Sequence, residues 1–206
     1  MATPNETNSG PSGESATLLQ TALFKQVSSE EAEELLPHLQ HAEYSKGDYI
    51  FREGDTDHRM YLLERGRVKL IRQSSDRRVQ LLSIHAYGEV LGEIPVFDPH
   101  GGPRTASAVA MTSDTKVVWL EHDALFAWLD EHPRVAVDML QVLAHRMRDN
   151  NERISELVFM DVPGRLAKTL LNLASRFGEP VEAGVKGPPD LTQGGMAQLG
   201  GLSRET

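Results

Sequence analysis

The 206-residue chain has no cysteine. That excludes disulfides, thiolate zinc sites, cysteine nucleophiles and cysteine-held iron–sulfur clusters. It has no run of about 18 apolar residues, so no transmembrane helix and no membrane partner are expected. Residues Met1 to Thr17, rich in Ser, Gly, Asn, Pro and Glu, lack the basic start and apolar centre of a signal peptide. They have almost nothing to bury and read as a disordered tail over 1–17. A cytoplasmic location fits both absences. Catalytic arrangements are missing as well. No Ser-His-Asp order, carboxylate pair in a Gly-framed site or Walker-type phosphate loop occurs, so no catalytic residue and no enzyme activity are expected. The eight histidines are scattered. His38 and His41 lie three apart on a predicted helix but lack a third ligand of fitting spacing, which reads as a solvated face; His85 and His145 are equally weak, and no metal site is expected. Positive charge is also short. The net charge of −9 works against nucleic-acid binding, which draws on lysine and arginine at phosphates. Residues 160–206 balance Arg165, Lys168, Arg176, Lys186 and Arg204 against Asp161, Glu179, Glu182, Asp190 and Glu205, so the acidic excess lies in the first 159 residues.

What remains is an ordinary globular mixture, 25% charged and 39% apolar, long enough for one domain of normal size and a small second one. Residues 18–42 hold a helical pattern with Leu35, Leu36 and Leu39 on one face. From Tyr44 to Leu120, short apolar runs (Tyr49–Phe51, Met60–Leu63, Val68–Ile71, Val79–Ile84, Ala108–Met111, Lys116–Leu120) are broken by turn signals about every eight to twelve residues, the pattern of a sandwich or small barrel. Gly66 and Gly88 are turn residues. Asp123 is placed to cap a short helix through Leu129. Pro133 then opens a long helix to about Met160, since proline suits the first helical turn. In that helix Leu140, Leu143, Met147, Asn150, Ile154 and Leu157 are spaced 3, 4, 3, 4, 3. This heptad seam points to pairing with a second copy; an amphipathic helix lying on the barrel is the plainer alternative. Asn150, with Asn151 beside it, is the polar member that would fix register. Asp161 is a cap or hinge contact before Pro163-Gly164. Arg165 to Phe177 reads as an amphipathic helix with Leu166, Leu170, Leu173, Ala174 and Phe177 inward. Gly178 to Pro189 is a loop or short hairpin. Leu191 to Thr206 has a helix-turn-helix outline, turning at Gly201 with Ser203 as the next cap.

The most informative stretch is Gly92-Glu93-Ile94-Pro95-Val96-Phe97 followed by Pro103-Arg104-Thr105-Ala106-Ser107. Glycine lets backbone approach a ligand. Glu93 can accept a ribose hydroxyl, and N–H groups at a helix start favour an anion. Arg104 presents a planar fork that matches two phosphate oxygens, and Thr105 adds a hydroxyl. The bland alternative is a surface salt bridge after a turn. Nothing nearby offers a general base, so the group is suited to binding and not to hydrolysis.

These blocks stand in a telling order: Lys46-Gly47-Asp48 to Gly54-Asp55, Met60-Tyr61-Leu62-Leu63, Gly66-Arg67-Val68-Lys69-Leu70, then the Gly-Glu and Pro-Arg-Thr-Ala segments. That order resembles the cyclic-nucleotide-binding domain. Asp161-Val162-Pro163-Gly164-Arg165, Lys168 to Ala174, Leu191-Thr192-Gln193 and Ser203-Arg204-Glu205-Thr206 extend the resemblance, from about residue 20 to the end, to the cyclic-AMP receptor protein family (Crp/Fnr-type transcription regulators), in its actinobacterial branch. The resemblance implies an α+β fold: a cyclic-nucleotide-binding β jelly roll over 18–132, a long dimerisation helix over 133–160 and a partial winged helix-turn-helix over 161–206. It implies a homodimer with cyclic AMP as allosteric ligand and no other cofactor. The cyclic phosphate would rest on Gly92, Arg104 and Thr105, the ribose on Glu93, and the base near Asn150 and Asn151, one from each subunit. Without cysteine, the oxygen-sensing relatives are a poor guide.

Several features depart from the family pattern. Many relatives carry threonine where Asn150 stands, although an amide both donates and accepts. Threonine at the position of Thr105 accompanies cyclic GMP in eukaryotic kinases, which leaves that nucleotide as the lesser candidate. The loop from Asp98 to Pro103 is longer than usual and reads as a bulge into solvent. DNA contacts fall to Ser203, Arg204, Glu205 and Thr206, with arginine suited to guanine and glutamate to cytosine. RNA polymerase would be a further partner of a full-length form. The chain stops one turn into the recognition helix. Gly194, Gly195 and Gly200 each cost that segment about 1 kcal/mol relative to alanine, so weak or absent DNA binding is expected of residues 1–206. The alternative reading is a nucleotide-binding dimerisation protein that sequesters full-length partners.

Overall fold

In the computed structural model the described residues are 21, 24, 27–74, 78–182, 184–187 and 191–199. The expected tail 1–17, Gly200 and the expected DNA contacts Ser203, Arg204, Glu205 and Thr206 lie outside them.

Helix α1 spans Ser29–Leu35. Ser28 starts it with a reciprocal cap: its hydroxyl accepts from the Glu31 amide at 3.2 Å, and the Glu31 carboxylate accepts from the Ser28 amide at 2.8 Å. A helix running to residue 42 is not what forms. Pro37 lacks the N–H a continuing helix needs, so the chain tightens into a single 3₁₀ turn at Leu36–His38 and enters strand β1, Gln40–Tyr44. His38 and His41 therefore sit in different elements, with His41 Nδ1 3.5 Å from Glu64.

The strands that follow are β2 Tyr49–Phe51, β3 Arg59–Arg65, β4 Val68–Gln73, β5 Val79–His85, β6 Val90–Leu91, β7 Ser107–Ala110 and β8 Thr115–Glu121. A short helix, α2 (Glu93–Phe97), interrupts them after β6. They form two four-stranded antiparallel sheets, ordered β1-β8-β3-β6 and β2-β7-β4-β5, the double-sheet arrangement of a jelly roll. Strand β3 shows why its sequence is a continuous apolar run. Side chains alternate across a strand, and both faces are covered. Tyr61 and Leu63 point between the sheets with Phe51, Val68 and Val117. Met60 and Leu62 point outward under helices, with Leu35, Leu125 and Met139.

Those covering helices include α3 (His122–Glu131) and α4 (Pro133–Phe159). Asp123 is not the cap of α3. The N-cap is Glu121, with no side-chain cap bond, and Asp123 instead accepts from His122 Nδ1 at 2.9 Å. Helix α5 (Val162–Phe177) is capped by Asp161, which accepts from the Gly164 amide. Of its expected inward residues, Leu173 is buried, whereas Leu170 is 44% exposed. A hairpin, β9 Glu179–Val181 and β10 Gly184–Lys186, leads to helix α6, Gln193–Leu199. The helix forms despite Gly194 and Gly195. A Cβ on Gly195 would lie 3.0 Å from Leu191, the tight approach that glycine eases, and 3.5 Å from Leu81 of β5, an ordinary contact.

Candidate functional site

The site begins at Gly92, which caps α2 in the left-handed region at φ 72°, a conformation glycine adopts without penalty. A Cβ there would lie 2.3 Å from Arg104 Nη1. The glycine thus serves both the turn and the close approach of the arginine.

Arg104 is 2% exposed. Its Nη1 donates to the Gly92 carbonyl at 2.7 Å, and its Nη2 donates to the Arg59 carbonyl at 2.7 Å and to the Asp57 carboxylate. The guanidinium lies over Phe51 at 4.4 Å and over Tyr61 at 5.5 Å. Burial, with Asp57 as neighbour, pushes the Tyr61 phenol well above its ordinary value, so the ring under the arginine stays neutral. Arg104 Nε is buried and lacks a hydrogen-bond partner. A buried donor left unpaired costs about 1–3 kcal/mol. The three acceptors on the fork all belong to the protein, so an anion in the adjoining cleft would compete with them for the guanidinium.

That cleft is lined by Phe51, Leu70, Gly92, Glu93, Ile94, Pro95, Arg104, Thr105 and Ala106. It brings together Gly92, Glu93, Arg104 and Thr105. Its walls carry apolar surface beside one carboxylate, one guanidinium and one hydroxyl, the mix a small polar ligand needs. Glu93 is already engaged: Arg146 of α4 donates to it at 2.9 Å and approaches the Val90 carbonyl at 3.4 Å.

Asn150 and Asn151 do not line the cleft. Both are exposed on α4, one turn beyond Arg146. The seam carrying Asn150 faces outward, with Leu140 63%, Met147 65% and Ile154 59% exposed, Leu157 also exposed and Leu143 half-buried. The loop from Asp98 to Pro103 is not a plain solvent bulge. The Gly101 amide donates to the Asp98 carbonyl at 2.9 Å, the His100 amide to Asp98 Oδ1 at 2.9 Å, and the Gly101 carbonyl lies 3.2 Å from His58 Nε2. Local turn bonds and a histidine from β3's approach fold the extra residues against the barrel.

Two residues that hold the candidate site together were not legible in the sequence. Asp57 meets Arg104 across 47 positions, and only its place in the turn run Gly54-Asp55-Thr56-Asp57 hinted at it. Arg146 had a usable signal, being four residues before Asn150 and so on the same helix face. Among the described residues, no group of three or more His, Asp or Glu is arranged for a metal ion, and no helix is long and apolar enough to cross a membrane.

Comparison with known proteins agrees with this fold. The family model of the cyclic nucleotide-binding domain matches residues 41–132. A CRP-like cAMP-activated global transcriptional regulator of Mycobacterium tuberculosis is 39% identical over 189 residues, covering 92% of this chain and 83% of that protein. A cyclic AMP receptor protein of Thermus thermophilus is 31% identical over 184 residues, 89% of this chain and 81% of that protein. Among solved structures, the N-terminal domain of a transcriptional regulator from Streptomyces coelicolor superposes with a TM-score of 0.56 at 37% identity, covering 70% of this chain and 98% of its own. The Thermus thermophilus catabolite activator protein gives 0.61 at 30% identity, covering 90% and 82%.

Proposed function

This chain belongs to the Crp/Fnr superfamily, and we propose that it is a cyclic-nucleotide-responsive transcription regulator whose allosteric ligand is cyclic AMP. The observation that carries the reading is the convergence, on one cleft, of a buried arginine, a carboxylate and a hydroxyl. A cyclic phosphate supplies the anion, and its ribose supplies hydroxyls for Glu93. Thr105 adds a donor at the cleft edge. The protein is a regulator and no enzyme.

The mechanism follows from where the cleft lies. Glu93 is held by Arg146 of α4, so a ribose hydroxyl that claims Glu93 competes with a barrel-to-helix contact. The ligand then favours one arrangement of α4 over another and shifts the population accordingly. A coupling of roughly 1–3 kcal/mol is typical of such systems. The exposed seam Leu140, Leu143, Met147, Asn150, Ile154 and Leu157 pairs with a second copy, which brings Asn150 and Asn151 of the two helices toward the bases. The domain bounds are the barrel to residue 132, the dimerisation helix over 133–160 and the DNA-directed part from 161. DNA and RNA polymerase are the partners of that last part, and the protein works in the cytoplasm.

Calorimetric titration with cyclic AMP, cyclic GMP and 5′-AMP tests the reading. Saturable binding of cyclic AMP, weaker binding of cyclic GMP and none of 5′-AMP are expected. Failure of both cyclic nucleotides to bind would refute it.

A further inference from the structure

Four ion pairs, making three links, join the barrel, α4 and α5 in a closed circuit. Glu93, just after β6, pairs with Arg146 of α4 at 2.9 Å. Further along α4, Glu152 lies 3.2 Å from Lys168 of α5, and Glu156 also pairs with that lysine. Further along α5, Arg176 lies 2.7 Å from Glu89, just before β6. The circuit starts and ends on a single five-residue stretch, Glu89 to Glu93. Strand β3 fixes that stretch, because the Leu63 amide donates to the Glu89 carbonyl at 3.0 Å and β6 pairs with Tyr61 and Leu62.

The Arg176 end of the circuit borders a docked surface. Arg176 donates to the Ile84 carbonyl at 3.1 Å, and beside it Leu173 packs on Leu81 and Ile84 of β5, with Met196 and Leu199 of α6. Gln198 of α6 accepts from the Leu81 amide at 3.2 Å, and its carbonyl accepts from Gln80 at 2.7 Å. The part of the chain directed at DNA is therefore seated on the outer face of the barrel.

We propose that this ring of ion pairs is a lock that keeps α5 and α6 seated on β5 in the absence of nucleotide, and that a nucleotide opens it at the Glu93–Arg146 link. The second half rests on the reading of Glu93 as the ribose acceptor. Exposed ion pairs are individually weak. In a closed ring each helix is held at two links, so breaking one lets that helix shift and weakens the geometry of the others, and the effects of the links are not additive.

The test is hydrogen exchange on the whole chain, comparing wild type with Arg176→Gln and Lys168→Gln, neither of which touches the cleft. Without nucleotide, each variant is expected to speed exchange over residues 79–85 and 193–199 by about tenfold, with β3 and β8 unchanged as the control for folding. The double variant should add little to either single one. The swap Glu89→Arg with Arg176→Glu should restore wild-type exchange. Cyclic AMP added to wild type should raise exchange over 193–199, and should bind Arg176→Gln about fivefold more tightly, because the lock no longer opposes it. Wild-type exchange in both single variants would overturn the lock. Slower exchange over 193–199 on adding cyclic AMP would overturn the opening step. A wild type that binds no cyclic AMP would overturn the cleft reading and the opening step, while the nucleotide-free variants would still decide the lock.

Discussion

In the barrel, Leu63, Val68 and Val117 are wholly enclosed; on α4, no residue beyond Met139 is buried, and Leu140, Met147 and Ile154 stand in solvent. The two regions use apolar side chains for different ends. The barrel closes its core within one chain, because each face of β3 has a sheet or helix to cover it. The second half of α4 carries a periodic apolar stripe that the described residues leave uncovered, the surface for which we propose a second copy as partner. The ligand cleft lies where the two regimes meet, with Arg104 on the closed side and Arg146 on the open one.

The sharpest way to break this contrast is at Arg104. Arg104→Ala should weaken cyclic AMP binding by at least about 100-fold, as a charge-assisted fork is lost. It should also destabilise the barrel by about 2 kcal/mol, a cost moderated because the Asp57 side chain stays 31% exposed. Calorimetry and urea denaturation read the two effects. On the open side, Met147→Glu should weaken self-association by about 30-fold, since the charge must enter a paired seam. Its barrel should melt as in wild type, with sedimentation velocity reporting the dimer. Gly92→Ala sits at the boundary. Its positive φ and the 2.3 Å approach to Arg104 should cost binding about tenfold with self-association unchanged.

The smallest effect is pH-dependent. Burial raises the Glu89 carboxyl, but the His85 hydrogen bond and the Arg176 charge outweigh it and hold the group below its ordinary 4.5. A folded-state value below the unfolded one means the group stabilises the fold above pH 4.5, and that gain is lost as the pH falls through the lowered value. Wild type should therefore melt about 2 °C above Glu89→Gln at neutral pH, and thermal scans toward acid should show the gap closing.

Much of this was legible in the chain. Short apolar runs split by turn residues gave the strands, and the run Met60–Leu63 suited a strand covered on both faces. The seam showed in its 3, 4 spacing. Local order placed Gly92, Glu93, Arg104 and Thr105 in one cleft. What escaped depends on tertiary pairing. Asp57 finds Arg104 only once β2 pairs with β7 and the loops beyond them join, the Gly54 amide donating to the Arg104 carbonyl and the Arg104 amide to the Asp55 carbonyl. Leu35, Leu36 and Leu39 fit a helical stripe, yet Pro37 ended it and Leu39 turned toward the strands. Leu170 matched an inward periodicity but faces solvent, because α5 meets β5 along a narrow line centred on Leu173. Asn150 and Asn151 were assigned by resemblance, and one chain alone leaves them in water.

The most direct measurement is cyclic AMP titration into wild type and Arg104→Lys, which keeps the charge but loses the planar fork. Saturable binding at one site per chain in wild type, weakened by about tenfold or more in the lysine variant, is the expected result. Equal affinity in the two proteins would contradict the assignment of the cleft.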